Sequence, residues 1–267
     1  MNASRCIATA ILASVLCGYF ALPGLAQSAD QRGIVRRAAK SYYSLRKAGL
    51  VEFRCQITPD WDTLFRSIKS DNPTDDAIPP YLKQTVFKVA VGPNGAPTVS
   101  HESEAAPLTA QMAERLRAIT AGLDQLLSGF FQAWGALAID PMLPDPEGTY
   151  DFENLGDHYR VSYKEGETSI IVEMAMDYTE TEVTISMGQI SVKYQPQFEH
   201  GNRGYFLSGL AASYMAPPKP PQPLNLQMEY RDVEGLSLPS KAVFTMPING
   251  KFFDGRFQFS SYQIKKR

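Results

Sequence analysis

Three histidines, three cysteines and a Ser-x-x-Lys run are the residues of this chain that could do chemistry. Each histidine has an acid beside it: His101 with Glu102, His158 with Asp157 and His200 with Glu199. A metal centre or a proton relay needs several such groups to converge, and two ligands four apart on a helix are the economical start. Here the histidines lie far apart, in predicted turns or at strand ends, where adjacent residues point to opposite faces. They read as solvated surface side chains, and no metal site is expected. Ser44-Leu45-Arg46-Lys47 has the spacing that sets a lysine beside a nucleophilic serine, but the Ser-Asp-Asn and Lys-Thr-Gly companions of that chemistry are absent from the sequence. Gly-x-Ser-x-Gly, His-Glu-x-x-His and the phosphate and dinucleotide glycine loops are absent as well. Glu173 and Asp177 fall on one face of a predicted strand, roughly 13 Å apart by strand rise. That exceeds the ~5–9.5 Å of paired glycosidase carboxylates. The chain therefore reads as non-catalytic and without a cofactor. A hydrolase whose groups converge from distant positions is the remote alternative.

What remains is a soft apolar inventory. Met174, Met176, Met187 and Met228 fall on predicted strands, and Phe130, Phe131 and Trp134 on a predicted helix. Unbranched thioethers adapt to variable apolar partners, and cavities for hydrophobic ligands are lined this way. Phe130, Phe131, Trp134, Met174, Met176 and Met228 are the candidate ligand-binding residues. The plainer reading is that they pack helix against sheet. The two readings part on whether a void of ~300 Å³ or more remains between them.

The compartment follows from residues 1–26. One cation at Arg5, an almost wholly apolar run over residues 6–22, the helix break at Pro23 and the small residues before position 27 spell a secretory signal cleaved after Ala26. A retained anchor is the alternative, but Pro23-Gly24 interrupts the run near the ~20 residues a span needs. Cleavage leaves 25 Lys+Arg against 28 Asp+Glu, a charge of −3, which excludes an electrostatic nucleic-acid binder. It also leaves Cys55 as the one thiol, so an internal disulfide is impossible and packing must supply stability. Cys55 alternates with Val51, Phe53 and Ile57 and reads as buried and inert.

The elements follow from periodicity. Helical spacing runs over residues 30–48 and 61–68, and over 109–139, where Met112, Leu116, Leu123, Leu127, Phe131 and Trp134 recur. The last half of that longest helix carries a single charge, Asp124, and must be covered. Its glycines, Gly122, Gly129 and Gly135, each cost ~1 kcal/mol relative to Ala, a cost that close packing or bending would explain. Strands are predicted over 51–57, over 81–91 paired with 98–102, and over 169–178. From Tyr150 onward the period is two throughout, with a phase shift at Gly188-Gln189 that reads as a bulge or bend. Residues 27–267 are expected to form one α+β domain, with the proline-rich 216–223 stretch as a loop inside it. The architecture is helices first, then a large antiparallel, curved sheet with the long helix across its concave face.

The stretch Met228-Glu229-Tyr230-Arg231-Asp232-Val233-Glu234-Gly235-Leu236-Ser237-Leu238-Pro239, followed by Phe257-Gln258-Phe259-Ser260-Ser261-Tyr262-Gln263-Ile264, resembles the LolA/LolB-type periplasmic lipoprotein carriers and their lipoprotein-sorting relatives. The resemblance covers residues 150–264, while the helices at 61–68 and 109–139 depart from the compact family pattern. It implies an unclosed β-barrel with helices over its mouth, holding acyl chains without catalysis, metal or cofactor. The expected function is that of an exported, non-catalytic envelope protein of the periplasm or secreted space. It would bind a lipid, a lipidated protein or another apolar ligand in the concave sheet, without a transmembrane span after signal cleavage. An envelope structural or protein-interaction domain with a filled core is the alternative, its mark being an apolar surface patch or open sheet edge.

Overall fold

The computed structural model describes residues 29–68, 77–103, 109–215, 217, 221–248 and 251–267. The predicted signal at 1–26 lies outside them, as do most of the predicted loop at 70–80 and part of the 216–223 loop. The chain is α+β, built on one twelve-stranded antiparallel sheet that does not close. In chain order the elements are α1 (Ala29–Ser41), β1 (Leu50–Pro59), α2 (Trp61–Ile68), α3 (Pro79–Leu82), β2 (Thr85–Val91), β3 (Pro97–Ser103) and α4 (Ala110–Ala138). Nine strands follow: β4 (Asp151–Asn154), β5 (His158–Glu165), β6 (Thr168–Ala175), β7 (Glu180–Met187), β8 (Ile190–Gly201), β9 (Gly204–Met215), β10 (Gln222–Val233), β11 (Leu236–Ile248) and β12 (Lys251–Lys266). The sheet order is β3-β2-β1-β12-β11-β10-β9-β8-β7-β6-β5-β4, so β1 pairs with β12 and the two edges are β3 and β4. Strands β9 and β10 pair across the proline-rich stretch, which therefore joins neighbours of one sheet.

The long helix was legible almost to the residue. Thr109 caps it, its hydroxyl accepting the Met112 N–H at 3.1 Å, and Ile139 ends it. It leaves the β3 edge and returns the chain to the β4 edge, crossing the concave face. Gly135 is buried, and a methyl there would only touch Ile139 and the Gly95 carbonyl at ordinary contact distance, whereas a methyl at Gly122 or Gly129 would meet nothing within 4 Å.

Three expectations are corrected. The first helix ends at Ser41, not at residue 48, because Tyr42 leaves helical geometry to bridge Tyr205 on β9. Gly204 admits that approach: at φ +109° it faces the Ser41 carbonyl so closely that any Cβ would collide with it. Gly188-Gln189 is neither bulge nor bend but the two-residue turn of the β7–β8 hairpin, with Gly188 at φ +60°. The strand predicted over 169–178 stops at Ala175, and Tyr178 adopts φ +72° in a tight turn closed by Ala175 and Thr179.

Candidate functional site

On the concave face the inward residues of β1, β10, β11 and β12 meet the apolar stripe of α4. Phe130 stacks on Phe259 with centroids 5.5 Å apart and meets Phe244 edge-on at 5.4 Å. Phe131 contacts Phe53 and Phe259, and Trp134 meets Phe53 edge-on at 5.9 Å. The Trp134 Nε1–H donates to the Tyr230 hydroxyl at 3.1 Å, and that hydroxyl lies 3.6 Å from Met228 Sδ. Burial holds the Tyr230 phenol far above its ordinary pKa, so it stays neutral and available as partner. Of the six residues singled out in the sequence, Phe130, Phe131, Trp134, Met174 and Met228 are all buried in this one core. Met176 is not with them. It follows the end of β6, enters the Tyr178 turn and is 47% exposed.

The apolar face does not stop where α4 stops covering it. Strand register places Ile185 opposite Val192, Met187 opposite Ile190, and Val192 opposite Tyr214, so these five side chains share the concave side at the tips of β7, β8 and β9. Ile185 and Val192 are half-buried, and Met187, Ile190 and Tyr214 are 39%, 40% and 44% exposed. The convex side of β7 and β8 carries an ion pair, Lys193 with Glu182 at 2.7 Å, and the neighbouring β5 and β6 carry another, Arg160 with Glu173 at 3.0 Å. The signal for this patch was in the sequence as alternation. What the sequence could not show is which alternating residues a helix would cover.

A small cleft bordered by Arg46, Leu50, Phe53, Pro93 and Ile139 holds about 10 Å³, room for about one water. That is far below the ~300 Å³ at which small-molecule pockets begin.

The polar candidates are structural. The Ser44 hydroxyl, buried, reaches the Ile139 carbonyl at 2.8 Å and Asp140 at 2.9 Å, while Lys47 Nζ donates to the Ala39 carbonyl. The Ser-x-x-Lys run thus ties the exit of α1 to the end of α4. His158 contacts Asp157 at 2.6 Å and Glu173 at 3.5 Å, an acid on each side and no nucleophile. His101 contacts Asp124 of α4 at 2.8 Å and pins that helix to the β3 edge. Glu173 belongs to β6 whereas Asp177 caps the following turn through the Thr179 N–H, so the two acids do not share a strand. Cys55 is buried opposite Tyr262, and burial pushes its thiol up to about 12, which makes it inert. Among the described residues no three or more His, Cys, Asp or Glu are placed to hold a metal ion, and no helix is long and apolar enough to cross a membrane.

One buried acid was missed in the sequence. Glu180 opens β7 and is fully enclosed, and neither carboxyl oxygen has a hydrogen-bond partner. A bulge turns it inward. Glu182 pairs with Glu173 on the convex side, but the next partners are Glu180 and Met174, so Thr181 is the extra residue and Glu180 shares the buried side with Met174.

Compared with family models, curated proteins and solved structures, the chain matches none. The reading of its function rests on its own geometry.

Proposed function

We propose that this chain is an exported, non-catalytic envelope protein that binds an acyl chain, of a lipid or a lipidated protein, along the uncovered end of its concave sheet. The observation that supports this reading is the row Ile185, Met187, Ile190, Val192 and Tyr214, apolar and open at Met187, Ile190 and Tyr214, on strands whose other face carries the Lys193–Glu182 ion pair. A single extended chain suits a row one or two side chains wide, and methionine adapts to it. The resemblance of residues 150–264 to lipoprotein carriers points the same way, with the site displaced from beneath the long helix to the strand tips. No catalytic step is part of the reading.

The test is to purify the full chain from a native-like envelope, extract it for lipid mass spectrometry, and titrate it with a fluorescent fatty acid. Bound lipid and saturable uptake are expected, with uptake lowered at least tenfold in Ile190→Lys. Lipid-free protein that leaves the probe's fluorescence unchanged would sink the reading. A second reading, an envelope protein-interaction domain with no small ligand, is favoured by the interlocking of Phe130, Phe131 and Trp134 with Phe53, Phe244 and Phe259, and by the open patch itself, the mark expected of such a domain. That same negative result would leave it standing.

A further inference from the structure

The junction around Glu180 is held by three ties, made by α1 or by Tyr42 just past its end. The Tyr42 hydroxyl donates to the Tyr178 carbonyl at 2.7 Å and accepts the Glu180 backbone N–H at 2.6 Å. Arg37 Nε donates to the Tyr178 hydroxyl at 3.0 Å. Arg32 and Arg36 pair with Glu147 in the segment that follows α4. Ile34, Val35 and Ala38 of α1 are buried, and so are Met142 and Tyr150, which bracket that segment. Glu180 therefore sits where α1, the segment after α4 and the start of β7 come together.

An acid there is costly to keep. A buried carboxylate without a charged or hydrogen-bonding partner is among the least stable arrangements a core can hold, and proteins avoid it by keeping the proton. Among the described residues no cation acts on Glu180. The Met142 backbone N–H favours the ionised form without making a well-formed hydrogen bond, and desolvation outweighs it. From the end of α1 the ionisable group facing the acid is Tyr42, the residue after its last turn, itself driven far above its ordinary pKa by burial first and by Glu180 next. Tyr205 of β9 and Asp177 of the β6–β7 turn act on Tyr42 in the same direction.

We propose that Glu180 is a pH-sensitive latch: protonated, it lets α1 and the segment after α4 close over the start of β7, and ionised, it releases them. Two features of geometry carry this. The Thr181 bulge spends an irregularity on turning an acid inward, and the closure of α1 is anchored on the backbone of that same residue through Tyr42. Burial raises the acid from its ordinary 4.5 to about 8. The sign follows from linkage. The closed state holds the proton more tightly than the open one, so the latch is fully engaged below about 4.5. It weakens as pH rises and has lost its full contribution above about 8. Across that interval one proton leaves per opening, so the opening constant rises about tenfold per pH unit.

Amide hydrogen exchange on the full chain tests this, with rates corrected for base-catalysed intrinsic exchange. Protection of α1 amides is expected to fall about tenfold per pH unit between pH 5 and 8 and to level off above. The neutral isostere Glu180→Gln should give a flat profile, and Glu180→Leu should repeat it should the glutamine variant not fold. Tyr42→Phe should lower α1 protection at every pH and keep the slope. A flat wild-type profile, or an unchanged slope in Glu180→Gln, overturns the latch. So does loss of protection in β11 and β12 in step with α1, since the opening would then be global.

Discussion

The concave face has two ends built from the same alternating strands, and they meet opposite fates. Across β1, β12, β11 and β10 the inward aromatics find α4, and Phe53, Phe244 and Phe259 are closed under Phe130, Phe131 and Trp134. At the tips of β7, β8 and β9 the inward residues find no helix, and Met187, Ile190 and Tyr214 stay open. Both ends alternate apolar with polar residues in sequence, Phe53 and Phe259 at the covered end and Ile185 and Met187 at the open one. The difference lies in how far one 29-residue helix reaches. An apolar strand face reports that something is meant to cover it, and the covering can be a piece of the chain or a ligand.

Truncating the covered end should have the largest consequence. Trp134→Ala removes a fully buried indole and the partner of Tyr230, and should cost about 3–5 kcal/mol by urea unfolding. A cost below about 1 kcal/mol would mean that the helix is not the lid it looks like. Next is Gly204→Ala, which adds a Cβ against the Ser41 carbonyl at a positive φ and should cost about 1–3 kcal/mol. The loss should appear first as exchange of α1 amides. Gly122→Ala and Gly129→Ala sit on the open side of α4 and should each stabilise by about 0.5–1 kcal/mol. A destabilising result would reveal a contact on that face. The smallest effect is reserved for the uncovered end. Met187→Lys and Ile190→Lys should change stability by no more than about 0.5 kcal/mol, while removing uptake of a fluorescent fatty acid. Large destabilisation there would erase the distinction between the two ends.

Much of this architecture was readable from periodicity, because helix and strand faces are written in local spacing. The α4 boundaries followed from its 3.6-residue stripe and Thr109, and the meander from the sustained period of two. Where reading failed, a long-range contact decided. Tyr42 leaves its helix to meet Tyr205, 163 positions later in the chain, and Gly204 matters only because Ser41 comes to it. Glu180 was hidden for the same reason: one extra residue in β7 reverses its side, and a register shift leaves no mark in composition. The candidate residues Phe130, Phe131, Trp134, Met174 and Met228 were correctly grouped by character. Whether their meeting leaves a space depends on side-chain interlocking, which spacing does not encode.

The pairing of β1 with β12 has a consequence in time. Leu50 lies opposite Lys266, so the first and last strands meet third and fourth from the β3 edge, and the hairpins on either side form around an unfinished seam. Closing a loop of more than two hundred residues is slow relative to forming hairpins. The meander from β4 to β11 can therefore assemble hairpin by hairpin, while Phe53 and Cys55 wait for Phe259 and Tyr262. The aromatic core of Phe53, Phe131 and Phe259 therefore cannot lock until β12 has been made and has found β1.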